Sequence, residues 1–183
     1  VGMGFMFAPV FHPAMKDATA PRREIGIRTV FNILGPLTNP ADAKAQVLGV
    51  ADETLMEKLA SVLQGLGCYH ALVVHGEDGL DEITVTGKTK VCELRDGRIN
   101  SYSISPEDFG LSRARLDSLR GGTAEENAAL LRNILAGTPG PQRGVVLMNA
   151  AAALVAGDRA SSFEQGMDLA REGLERTKEI IDK

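Results

Sequence analysis

An ordered run of apolar segments restricts this chain's fold more than any other feature. Gln46 to Val50 reads as a short buried strand. Asp52 can cap a helix whose Leu55, Leu59, Val62 and Leu66 recur at helical spacing, with Gly67 as its stop. Ala71 to Val74 is a second apolar strand, followed by the turn His75-Gly-Glu-Asp-Gly-Leu-Asp-Glu82. Ile83 to Thr86 and Val91 to Leu94 alternate as strands do, and Asp96-Gly97 predicts a hairpin turn into Ile99 to Ile104. A strand-helix-strand unit continuing into a hairpin implies an α/β fold, a mixed central sheet flanked by helices.

The last third reads as helical. Thr123 and Glu126 form a capping box before Leu130, Leu131 and Ile134, and Ser161 and Glu164 repeat it before Met167, Ala170 and Leu174. Val145 to Val155 is apolar almost all round, and its alanines favour a core helix over a buried strand. Near the start, Pro21 opens a helix with Ile27, Phe31 and Leu34 on one face, which Gly35-Pro36 and Asn39-Pro40 end. The segment from Val1 to Pro13 packs Phe5, Met6, Phe7 and Phe11 together with no cap or polar lead. That is an odd way for a free-standing domain to begin, and the expectation is that something precedes it.

Composition narrows the function. A net charge of -4 argues against a general nucleic-acid binder, which needs a basic surplus to neutralise phosphates. No apolar run approaches membrane-spanning length, so a cytoplasmic protein is expected, with no membrane partner. Cys68 and Cys92 lack metal-motif spacing and are too few for a disulfide scaffold, so buried free thiols are expected.

Three places can carry chemistry. The turn bearing Asp78, Asp81 and Glu82 directly follows a strand, where open α/β sheets bind ligands. Its carboxylates can offer oxygens to a hard cation such as Mg²⁺, although by spacing alone a merely solvated loop is the stronger reading. Arg22, Arg23 and Arg28 gather at a helix start, where a cation opposes the helix dipole unless an anion lies beside it. The plainer account is a surface helix with ordinary salt bridges, for instance to Glu24. Gly121-Gly122-Thr123 precedes a helix in the manner of a phosphate cradle, but an ordinary cap explains it as well. His12 has no catalytic motif around it, and neither the dinucleotide-binding nor the Walker loop is present.

Longer blocks go further. Phe5-Met-Phe-Ala-Pro-Val-Phe-His-Pro-Ala-Met-Lys16, the run from Pro21 to Pro40, Val73 to Glu82, Asn127 and Asn149-Ala-Ala-Ala-Ala-Leu154 resemble the anthranilate phosphoribosyltransferase family, in the family's order. The resemblance implies a phosphoribosyl transfer from phosphoribosyl pyrophosphate to the amine of anthranilate, in tryptophan biosynthesis, with Mg²⁺ as cofactor. It implies the fold of the nucleoside phosphorylase/phosphoribosyltransferase large domain, in a full-length homodimer. It implies that Arg22 grips the anthranilate carboxylate, that His12, Met15 and Pro9 line the anthranilate pocket, and that Asp81 and Glu82 hold the metal. Some relatives carry tyrosine where Met15 stands, and the tail after Ala170 drifts from the family's ending.

The family's Gly-Thr-Gly-Gly-Asp loop, Asn-Ile-Ser-Thr segment and Lys-His-Gly-Asn loop are not found in residues 1–183. The expectation is a partial large α/β domain, without the family's small helical domain and inactive by itself. Two other readings remain: a pyrimidine nucleoside phosphorylase-like enzyme, and a non-catalytic nucleic-acid-binding relative. The Arg22 block and the Asp81-Glu82 turn favour the first-named family over both.

Overall fold

The computed structural model describes residues 37–39 and 41–181, with side chains as far as residue 177. The chain divides into two units, Val1–Ala43 and Lys44–Lys183. In the first, the described residues form a turn in which the Ala41 N–H donates to the Asn39 side chain and the Asp42 N–H to the Asn39 carbonyl, both at 3.0 Å. The helix expected from Pro21 lies outside the described residues.

The second unit is built on a four-stranded mixed sheet in the order β1 (Ala45–Gly49), β2 (His70–Gly76), β3 (Thr89–Arg95), β4 (Arg98–Ile104). β1 and β2 run parallel, joined by the crossover through a short 3-10 turn, Glu53–Leu55, and helix α1 (Met56–Gly65). The remaining pairs are antiparallel. Asp96 and Gly97 join β3 to β4 with φ of 50° and 76°. Two successive positive φ values define the hairpin turn whose twist matches its strands, and glycine takes the second without strain.

Strand alternation divides the core. Leu72, Val74, Val91 and Ile104 face α3 (Pro141–Ala156) and α4 (Phe163–Ile181), meeting Leu147, Met148, Ala151, Ala152, Met167 and Ala170. The alternate residues Ala71, Val73, Cys92 and Leu94 are buried on the other face, where α1 packs on β2 and β3. α2 (Ala124–Leu135) buries Ile134 alone, and Leu131 stays 55% exposed. Cys68 and Cys92 are buried free thiols, as expected. Burial pushes both thiols above their ordinary range. His70, also buried, holds Glu93 at 2.9 Å through Nε2, and the Tyr102 hydroxyl donates to the same carboxylate at 2.9 Å. Among the described residues no helix is long and apolar enough to cross a membrane.

Three expectations need correction. Residues Ile83 to Thr86 form no strand. Ladder pairing needs free N–H groups, and here Ile83 donates to Asn149 Oδ1, Thr84 to Thr89 Oγ1 and Thr86 to Thr84 Oγ1. In α1 the buried face is Met56, Leu59, Ala60 and Leu63, while Val62 and Leu66 are exposed. Val62 sits about 100° around the axis from Leu63, off the sheet-facing arc, and Leu66 lies past the last helical residue. The cap of α4 is shifted by one residue. Ser162 Oγ accepts the Gln165 N–H at 3.2 Å, and Gln165 Oε1 reaches back to the Ser161 N–H and hydroxyl. By contrast the Thr123–Glu126 box is formed as the sequence reads.

Candidate functional site

β2 delivers its backbone to Gly76, after which the chain doubles back. The Gly76 N–H donates to the Leu80 carbonyl at 2.9 Å and the Gly79 N–H to the Gly76 carbonyl at 2.8 Å. The half-buried Asp78 carboxylate turns inward. It accepts the Thr84 and Thr86 hydroxyls, each at 2.5 Å, and the Leu80 N–H at 3.1 Å. Burial by itself pushes this carboxyl up, but those donors outweigh it and hold the group below the usual carboxylate range. Asp78 is therefore the brace of the turn, with its oxygens already committed.

Glu77 accepts the Lys88 N–H at 3.0 Å, and Asp81 and Glu82 are the exposed acidic residues outside these bonds. Partial desolvation raises the Glu82 carboxyl above its ordinary value, and the negative charges of Asp81 and Asp78 raise it further. Uncompensated negative charge from oxygen donors on adjacent residues suits a hard divalent cation. Among the described residues no group of three or more His, Cys, Asp or Glu side chains converges to hold a metal. The pair offers two carboxylates on adjacent residues, the number of protein ligands that Mg²⁺ takes where waters and substrate phosphates complete its shell.

The backbone of this pair is held from two sides. At the end of β1, Gly49 lies so close that a Cβ built on it would land on the Asp81 carbonyl oxygen. Only glycine allows that approach. On the other side, Asn149 of α3 takes both backbone groups of Ile83, accepting its N–H at 3.0 Å and donating to its carbonyl at 2.8 Å. Sequence reasoning assigned Asn149 no role. The available signal was an amide side chain inside the apolar run Val145 to Val155, since a polar group in such a setting needs partners.

The Gly121-Gly122-Thr123 turn offers no cradle. Two of its N–H groups are taken internally: Gly122 donates to Asn127 Oδ1 at 2.9 Å and Thr123 to Glu126 Oε2 at 2.7 Å. The cleft of about 460 Å³ between the start of α1 and strands β3 and β4 is a separate feature. Its Lys90 is paired with Glu53, which leaves that cleft no uncommitted cation for an anionic ligand. Pro9, His12, Met15 and Arg22 lie outside the described residues.

Residues 1–178 match the model of the glycosyl transferase family, a/b domain. The chain is 54% identical over 175 residues to the anthranilate phosphoribosyltransferase of Symbiobacterium thermophilum, covering 96% of this chain and 51% of that protein. The crystal structure of the anthranilate phosphoribosyltransferase from Thermus thermophilus superposes with a TM-score of 0.88 at 45% identity, over 97% of this chain and 53% of that one. The Saccharomyces cerevisiae enzyme in complex with PRPP and Mg superposes with a TM-score of 0.84 at 29% identity, over 95% and 49%. The mixed sheet with flanking helices is thus the nucleoside phosphorylase/phosphoribosyltransferase type of large domain. The chain spans about half the length of the curated relatives it matches.

Proposed function

Since the chain belongs to the glycosyl transferase family with an a/b domain, we propose that it serves as part of the large domain of an anthranilate phosphoribosyltransferase. The family's glycine-rich loops and small helical domain would then come from the part of the relatives that this chain does not span, and the full-length protein would be a homodimer. In the reaction the bond between ribose C1 and the pyrophosphate oxygen breaks, its electron pair leaving with pyrophosphate. The anthranilate amine forms the new N–C1 bond and loses a proton.

The observation that carries this reading is the exposed pair Asp81 and Glu82, on a turn whose Glu77 and Asp78 carboxylates are taken by hydrogen bonds. A Mg²⁺ held there would supply positive charge against the pyrophosphate as it departs. The protein's share is placement. Asp78 braces the turn, and Gly49 and Asn149 hold the backbone from which the two carboxylates would reach the cation. Under the same reading Arg22 binds the anthranilate carboxylate through two parallel hydrogen bonds, and Pro9, His12 and Met15 line the pocket around the ring. The T. thermophilus and S. cerevisiae likenesses support the assignment, the latter being a structure with PRPP and Mg.

A chimera tests it. This chain replaces the matching half of the S. thermophilum relative, and formation of phosphoribosyl anthranilate is followed with and without Mg²⁺. Magnesium-dependent product is expected. Asp81→Asn with Glu82→Gln should reduce kcat/KM at least about 100-fold, the loss typical of removing charge stabilisation of a transition state. Arg22→Ala should raise the KM for anthranilate. A well-folded chimera that makes product at the same rate in both carboxylate variants would sink the proposal.

A further inference from the structure

We infer that Asn149 is a positioning residue for the cation pair: it sets the backbone from which Asp81 and Glu82 present their carboxylates. The inference rests on the reading that this pair takes the divalent cation. Asn149 sits on α3, a 16-residue helix anchored by buried Gly144, Leu147, Met148, Ala151, Ala152, Val155 and Ala156. Its amide is fully oriented. Besides the two bonds to Ile83, its Nδ2 donates to the Val145 carbonyl at 2.9 Å, which locks the side chain against its own helix. Ile83 directly follows Glu82 and is fully buried, so both its side chain and its backbone are fixed. The contact joins residues 66 apart in sequence and reaches neither carboxylate directly. It transmits the rigidity of the core helix to the peptide just after the acidic pair.

A merely structural asparagine would act differently. Its loss would lower stability and leave cation affinity alone, because Asp81 and Glu82 keep their charge and chemistry. A positioning role instead predicts weaker binding beyond any loss of stability, since outer-shell partners of metal ligands commonly change affinity by about 10- to 100-fold.

The test uses the 183-residue chain, labelled with nitrogen-15 and titrated with Mn²⁺, a paramagnetic stand-in for Mg²⁺, at a fixed excess of pyrophosphate. The pyrophosphate supplies the phosphate oxygens that the two carboxylates leave to the substrate. In the unaltered chain, amide signals of the turn around Asp81 and Glu82 should broaden saturably. Asn149→Ala should raise the half-saturating Mn²⁺ concentration about 10-fold. Leu63→Val, in the core on the opposite face of the sheet, serves as a control of reduced thermal stability and should leave it unchanged. Should Asn149→Ala fail to fold, Asn149→Ser, too short to span both Ile83 groups, is read in the same way. A folded Asn149 variant that binds Mn²⁺ as tightly as the unaltered chain overturns the inference while the cation reading stands. Absence of saturable broadening in the unaltered chain, or its persistence in Asp81→Asn with Glu82→Gln, overturns the cation reading and the inference with it.

Discussion

Two glycine-bearing turns adjoin a regular element and carry polar and acidic side chains, and they use those groups in opposite ways. In the turn before α2, Thr123 and Glu126 bond to each other's backbone and Asn127 to that of Gly122, and these groups are satisfied from within. In the turn after β2, two acidic side chains of four do that work, Glu77 accepting the Lys88 N–H at 3.0 Å. Asp78 gathers two hydroxyls and an N–H, while Asp81 and Glu82 remain outside the network of the turn. The first arrangement closes a helix. The second leaves a pair of charges unused because Glu77 and Asp78 carry the bonding of the turn. Glycine followed by acidic or hydroxyl residues is therefore an ambiguous signal until the partner of each oxygen is known.

That contrast can be broken most severely at Gly49. Gly49→Ala would set a methyl group on the Asp81 carbonyl and force β1 and the turn apart. Overpacking of this kind should cost about 3 kcal/mol and lower the thermal midpoint by about 6–12 °C. Calorimetry checks it, and an unshifted midpoint would show that the turn yields freely.

Asp78→Asn comes next. It removes the charge that three donors address, an expected loss of about 2 kcal/mol near neutral pH. The folded carboxyl lies below its unfolded value, so its contribution is present above the ordinary carboxylate pKa of about 4 and is lost as pH falls through the folded value. Urea midpoints of Asp78→Asn and the unaltered chain should therefore differ at pH 7 and converge in acid. A constant difference across that range would contradict the bracing role.

The smallest effect belongs to the self-contained turn. Thr123→Ala should destabilise by about 1 kcal/mol through the lost cap. Added inorganic phosphate should raise the thermal midpoint of neither version, because the Gly122 and Thr123 N–H groups are already taken. A phosphate-dependent rise that the substitution abolishes would restore the cradle reading.

Much of this fold is legible in the chain because its causes are local. Asp96-Gly97 carries the φ preferences its hairpin needs, Thr123 and Glu126 sit at capping-box spacing, and alanines make the Val145 to Val155 run a helix. Where several local solutions compete, the reading slips. Ser161 and Ser162 can each cap α4, and Gln165 rather than Glu164 completes the bonds. The alternating run Ile83 to Thr86 reads as a strand, yet its N–H groups find side-chain acceptors, one of them on a distant helix.

The acidic turn shows the same division at the site. The chain by itself determined that carboxylates would follow an apolar strand on a glycine-flexed turn, since residue type and strand period are written in the sequence. It could not say which of them the turn's own hydrogen bonds would leave unused. Only the tertiary structure decided that, by bringing Thr84 and Thr86 over Asp78, the end of β1 against Asp81, and Asn149 onto Ile83. The physical reason is that a hydrogen bond depends on a few tenths of an ångström in space and takes no account of separation along the chain.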